Sequence, residues 1–255
     1  MNYFFDLVFN ENVKIYKRPR AWVLISLLVT MNLFIAMVMR FIFFDTDFTF
    51  WDHLNISTFV IFVLNFLCII IAGDIVSSEF SSGTIKLLLI RPASRIKILL
   101  AKFISVLLFI VLVVVVHLLT SVMFGGIFFF NSIFVLEPPF ILNIILRYGF
   151  GFIEIVVVCS MAMMLSVVTR SSVFSVSVPI FLVMSVTLLL ELLAHYQIQM
   201  GKYILFANTN LTQHFLGRPL FEGMTLPFSV LNITIHMIVF FILSTVVFSR
   251  RDVNM

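Results

Sequence analysis

The stretch FISVLLFIVLVVVVHLLTSVMFGGIFFFNSIFVL, Phe103 to Leu136, runs for 34 residues without an Asp, Glu, Lys or Arg. A helix needs about 20 apolar residues to cross a hydrocarbon layer of roughly 30 Å, so this run alone is long enough to span a membrane. It is also too continuous to be a barrel strand, which would alternate apolar and polar letters over about ten residues. Backbone groups in hydrocarbon must find partners within their own segment, and a helix provides them. Four more windows share the property: Ala21 to Met39, His53 to Gly73, Ser171 to Leu190 and Gly223 to Ser249. A sixth run, Ile141 to Thr169, is as apolar but carries Arg147 and Glu154. The pattern predicts six spans near 21–44, 57–76, 101–124, 143–168, 173–195 and 229–249.

The whole composition agrees. The 255 residues are 62% hydrophobic and 11% charged, with 32 phenylalanines and a mean hydropathy of +1.20. A soluble domain carries roughly 25% charged residues, so a soluble enzyme is excluded. The 16 basic residues are unevenly spread. With an even number of spans both termini share a side, and Lys14, Lys17, Arg18, Arg20, Lys86, Arg91, Arg95, Lys97, Lys102, Arg170, Arg250 and Arg251 all fall there. Positive loops remain cytoplasmic, so both termini are expected inside the cell. The net charge of +4 then describes an inner rim and calls for no nucleic acid. One domain is expected, with residues 1–20 as an interfacial helix and 21–255 as the transmembrane unit.

Residues 1–20 do not read as a cleavable signal, because Asp6, Glu11 and Lys14 interrupt the apolar letters. As a helix, Asp6, Asn10, Lys14 and Lys17 form one stripe opposite an arc of Phe4, Phe5, Val8, Phe9, Val13, Ile15 and Tyr16. Such a helix lies in the membrane interface, and Pro19 ends it. Cys68 and Cys159 both fall in spans and read as packing residues. No phosphate loop, H-E-x-x-H or G-x-S-x-G pattern is present, so no catalysis is expected of the chain.

The segment GDIVSSEFSSGTIKLLLIRPASRIK, Gly73 to Lys97, separates spans two and three. Gly83 permits a turn, Thr84 to Ile90 has the length of about two helical turns, Pro92 ends that element, and Ser94 is a suitable N-cap for span three. The short apolar helix, flanked by Lys86, Arg91 and Arg95, suits either a partner surface or a seat among lipid headgroups.

The arrangement of Glu79, Gly83-Thr84, Leu87-Leu88, Arg91-Pro92, Ser94-Arg95 and Lys102 resembles the loop of type-2 ABC exporter permeases. These are six-span half-transporters that begin with an elbow helix and a basic turn, as Lys14 to Arg20 does here. The resemblance implies an all-α polytopic membrane protein with six transmembrane helices, an N-terminal interfacial elbow helix and a cytoplasmic coupling helix between spans two and three. It implies that Glu79, Gly83, Thr84, Lys86, Leu87, Leu88, Arg91, Pro92 and Arg95 meet an ATPase, with Glu79, Arg91 and Arg95 fixing the ends of the helix. The expected partners are two ABC ATPase subunits, a second permease (identical or related) and lipid. The chain itself would bind no cofactor, and ATP and Mg would be held by the ATPase. The family's link to antimicrobial-peptide immunity and toxin export suggests apolar or amphipathic peptide cargo. The large segment Tyr196 to Pro227 fits the re-entrant helices that the family often places between spans five and six.

Asn65, His117, Glu154 and His236 fall at similar depths in spans two, three, four and six, and are candidates for a pathway or gate. Glu154 is expected to pair with His117 or His236, or all four serve as glue between helices. As a relay, the same groups would suit an ATP-independent secondary transporter or channel. Arg40, Arg147, Glu191 and His195 read as interface residues, and Gly149 and Gly151 as places of close helix approach. The Met161, Met163 and Met164 cluster suits either core filling or adaptable apolar contact.

Overall fold

The computed structural model describes residues 2–43, 48–84, 94–134, 138–217 and 219–250. Among them there is no strand, and six helices are long and apolar enough to cross a membrane. The protein is an all-α polytopic membrane protein. The first helix, α1 (Asn2–Lys17), is followed by α2 (Pro19–Met37), which continues as a π turn over Val38–Ile42. Arg18 between them is extended and Pro19 opens α2, a place where proline's missing N–H costs nothing.

Span two is longer than expected and comes in two pieces, α3 (Phe50–Ser57) and α4 (Val60–Ser81). Thr49 caps α3: its hydroxyl accepts from the Asp52 N–H at 3.2 Å, while the Asp52 carboxylate accepts from the Thr49 N–H at 3.0 Å. Reciprocal capping of this kind satisfies donors that a helix start leaves free. Span three is α5 (Arg95–Phe128), capped by Ser94, whose hydroxyl accepts from the Lys97 N–H at 3.4 Å. Spans four and five are α6 (Pro138–Thr169) and α7 (Ser172–His195), joined by a tight turn in which Arg170 takes a positive φ of 56°. A 3₁₀ turn over Gln199–Tyr203 and the short helices α8 (Leu205–Thr209) and α9 (Thr212–Phe215) precede span six, α10 (Leu226–Arg250). The helices of spans two and three outrun both expected limits by several residues, and span four its first, because interfacial polar letters still satisfy their backbones helically.

The core is the α4–α6 contact, where Leu64, Cys68, Ile69 and Ala72 meet Ile155, Val158, Cys159 and Ala162. Span two is the most enclosed of the six and span six the least. The free thiols of Cys68 and Cys159 touch within this core. Met161 and Met163 are buried in the same cluster, and Met163 also borders an apolar cavity of about 320 Å³ with Phe103, Met237, Phe240 and Phe241. Of the two glycines expected to allow close approach, Gly151 does so: a Cβ there would lie 2.5 Å from the Ile61 side chain. Gly149 has nothing within 4 Å. A second close approach is at Gly73, where a Cβ would meet the Ser175 carbonyl oxygen and the Val176 side chain, both at 2.8 Å. Span one is fastened to span three through Asn32, whose amide donates to Thr120 at 3.1 Å and accepts from Ser121 at 2.9 Å.

Candidate functional site

The charged residues gather at the end of the bundle that carries Lys17 and Arg250, around the root of the loop between spans two and three. Glu79, near the end of α4, is 5% exposed, and Lys102, two turns into α5, is fully buried. A buried ammonium is tolerated only when acids and carbonyls surround it. Here Lys102 Nζ donates to Glu11 Oε2 at 2.6 Å, to Glu79 Oε1 at 2.8 Å and to the Ile75 carbonyl at 3.2 Å. Lys14 Nζ closes the set, 2.5 Å from Glu11 Oε1 and 2.7 Å from Glu79 Oε1. One turn deeper, Asp74 accepts from Arg18 at 2.6 Å, Arg20 at 2.9 Å and the Ser172 hydroxyl at 2.7 Å.

The two groups join five elements. Glu11 and Lys14 belong to α1, Arg18 to its junction with α2, Asp74 and Glu79 to α4, Lys102 to α5 and Ser172 to α7. Arg95 adds a sixth, since its guanidinium donates to the carbonyls of Phe248 at 3.3 Å and Ser249 at 2.8 Å and so caps α10. The elbow helix docks with Leu7, Val8, Glu11 and Ile15 inward, while Phe5 and Phe9 face outward at 67% and 69% exposure. Its buried face therefore includes an acid, and only part of the expected apolar arc is used.

Burial pushes the Glu11 carboxyl up, but Lys102 and Lys14 outweigh it and hold the group below its ordinary value of 4.5. Burial pushes Lys14 down, and the bonds to Glu11 and Glu79 outweigh that and hold it above 10.5. A lowered acid stabilises the fold above its ordinary value and loses that contribution as pH falls; a raised base loses its contribution as pH rises. Docking of α1 is accordingly expected to be firm between 4.5 and 10.5 and to loosen on acidification below 4.5. Hydrogen exchange of the α1 amides in detergent, measured across that range, checks this: exchange in α1 should accelerate at acid pH before exchange in α4 does.

The expected ATPase contacts divide into four groups, one of which is Arg95, placed on the last carbonyls of α10. Glu79 is buried and turns one carboxylate oxygen inward to two lysines, so the structure places it at the root of the loop. Gly83, with φ +70°, and Thr84 are exposed, and the Thr84 hydroxyl lies 2.9 Å from that of Ser82. Lys86, Leu87, Leu88, Arg91 and Pro92, and with them most of the expected coupling helix Thr84 to Ile90, lie outside the described residues.

The intramembrane candidates are also divided. Asn65 and Glu154 meet, Asn65 Nδ2 donating to Glu154 Oε1 at 3.3 Å. His117 lies elsewhere, stacked on Tyr148 with ring centroids 5.5 Å apart and 3.4 Å from the Ser121 hydroxyl. His236 bonds to the carbonyl of Asn232 on its own helix at 2.9 Å. Glu154 is thus paired with an amide of span two, and no described contact joins it to either histidine. Arg147 rests on the Phe59 ring at 5.1 Å. Among the described residues no three of His, Cys, Asp and Glu come together as a metal site.

Glu11, Asp74 and Asn32 were not singled out by sequence reasoning. A usable signal existed for two of them: Glu11 lies three residues before Lys14, and Asp74 is an acid inside a mostly basic rim. Asn32 has no comparable signal.

Residues 21–254 match a family described as proteins of unknown function, DUF2705. The chain belongs to that family. It is similar to the uncharacterized protein YhcI of Bacillus subtilis strain 168, with 36% identity over 222 residues, covering 82% of this chain and 71% of YhcI. It is also similar to the uncharacterized membrane protein YdbK of the same organism, with 30% identity over 245 residues, covering 95% of this chain and 100% of YdbK. YdbK's description as a membrane protein agrees with the six spans.

Proposed function

We propose that the chain is the membrane permease subunit of an ATP-binding cassette exporter in a bacterial plasma membrane, with both termini cytoplasmic. The supporting observation is the ion-paired root. A loop that receives force from a soluble motor must pass it to the spans, and a loose root would absorb the displacement. Here Lys102 bonds directly to Glu79 at 2.8 Å, so the two spans flanking the loop are tied at their bases. Glu11 and Lys14 extend the tie to the elbow helix, and Arg95 extends it to span six. Displacing residues 82–94 would then shift four elements together. Two ATPase subunits hydrolyse ATP, this chain carries no catalysis, and a second permease, identical or related, completes the pathway. Apolar or amphipathic peptides are the cargo in this reading, which rests on the resemblance described above.

The alternative is an ATP-independent secondary transporter or channel. The Asn65–Glu154 contact favours it, but no described contact links that pair to His117 or His236, so a relay lacks its next member. Co-purification separates the two. The exporter reading expects an ATPase subunit to remain with the chain in detergent and its hydrolysis to respond to amphipathic peptide. Failure of any ATPase to bind, with vesicle transport following a pH gradient, would overturn it.

A further inference from the structure

A second polar feature lies toward the other end of the bundle. Between α3–α4, α6 and the α8–α9 turn is a cavity of about 220 Å³, bordered by Phe59, Phe62, Asn65, Arg147, Phe150 and Glu154. Asn65 is 1% exposed, and its Oδ1 has no hydrogen-bond partner among the described residues. Its Nδ2 supplies the one bond described for the Glu154 carboxylate, at 3.3 Å. One oxygen of the Glu154 carboxylate and the Asn65 amide oxygen therefore have no donor among the described residues, and within the membrane an unmet acceptor is costly.

Arg147 lies on the same wall. It is seven residues before Glu154 on α6, which places it on the same helix face, about 10 Å nearer the end of the bundle away from the termini. Its guanidinium has one long bond, to the Thr58 hydroxyl at 3.4 Å, besides its seat on Phe59. No ion pair joins it to Glu154 or to any other acid among the described residues. One cavity wall thus presents an anion inside and a cation at the rim, too far apart to neutralise each other.

We propose that this cavity binds a zwitterionic group, with its ammonium on Glu154 and Asn65 and its anionic end on Arg147. An ammonium brings three donors and no acceptor, which suits the two unmet oxygens. A lone cation would leave Arg147 unmatched, and a lone anion would face Glu154; a zwitterion satisfies both poles. The aromatic walls favour a small organic ion and can carry a cation on their faces. Two sources share this chemistry, a free dipeptide and a phosphatidylethanolamine headgroup. The site is independent of the exporter reading, because binding is read on the chain alone, with no ATPase present.

The test is equilibrium dialysis of the full chain in a neutral maltoside with radiolabelled alanyl-alanine, and with lyso-phosphatidylethanolamine as competitor. Saturable binding of the dipeptide is expected. N-acetyl-alanyl-alanine, which lacks the ammonium, and alanyl-alanine amide, which lacks the carboxylate, should each bind at least about tenfold more weakly. Glu154→Gln should abolish the advantage of the free ammonium and Arg147→Gln that of the carboxylate. Displacement by the lysolipid with the same residue dependence would assign the site to lipid and retain the zwitterion. Absence of saturable binding by either ligand, or equal binding of the capped dipeptides by the unaltered chain, overturns the proposal without reference to any variant.

Discussion

Lys102→Met is expected to destabilise the protein by about 3–5 kcal/mol, the range for removing one member of a buried ion pair. The lysine is fully buried and bridges Glu11 and Glu79 from inside the bundle. Methionine has similar length and fits the same channel, so little packing is lost and the cost is electrostatic. Two carboxylates would remain against the core with Lys14, whose side chain is 42% exposed, as their one neighbouring ammonium. Glu79 Oε2 already lacks a partner and cannot compensate. The triple variant Glu11→Gln, Glu79→Gln, Lys102→Met should recover most of the loss, because it removes the charges together. Thermal unfolding in detergent measures both. Equal melting temperatures for Lys102→Met and the unaltered chain would mean that the root does not hold the elbow helix in place.

Gly73→Val is expected to cost about 3 kcal/mol, at the upper end of ordinary overpacking. The obstacle is the Ser175 carbonyl, 2.8 Å from the position a Cβ would take, and a backbone oxygen cannot rotate aside as a side chain would. Relief requires α7 to move away from α4. That movement would stretch the Ser175 hydroxyl bond to the Gly73 carbonyl at 2.6 Å and the bonds from Ser172 to Ser77 and Asp74 at 2.8 and 2.7 Å. Gly149→Val is the matched control, since nothing lies within 4 Å of that glycine's Cβ position. It should change stability by less than about 0.5 kcal/mol, as surface substitutions generally do. If both valines lowered the melting temperature equally, the α4–α7 approach would not be the cause.

The two expectations show how differently the parts of this protein could be read from its letters. The end of α1 before Pro19, the Ser94 cap and the six spans were all visible in the sequence. Each depends on local chemistry: a proline that cannot continue a helix, a hydroxyl beside a free N–H, an apolar run long enough to satisfy its own backbone. The partners of the charged and polar groups were not visible. Glu79 looked like an outward contact of the loop and turned out to be held between Lys14 and Lys102. Glu154 could be read as the partner of a histidine or as glue between spans, and it meets Asn65. Gly149 and Gly151 look alike in sequence, yet one packs against Ile61 and the other has open space.

By itself the sequence determined that this is a six-span, all-α membrane protein with a separate helix before Pro19, and where most of its helices break. Hydrocarbon enforces those features residue by residue, since every backbone group must be satisfied close to home. Only the tertiary structure decided which face of each span is inside, and so which charges meet. Lipid tails are as apolar as leucine, so the apolar pattern around a spanning helix does not distinguish a face that packs on protein from one that packs on lipid. The ion-paired root and the cavity at Glu154 arise from that choice of faces, and both join residues nearly ninety or more positions apart in the chain.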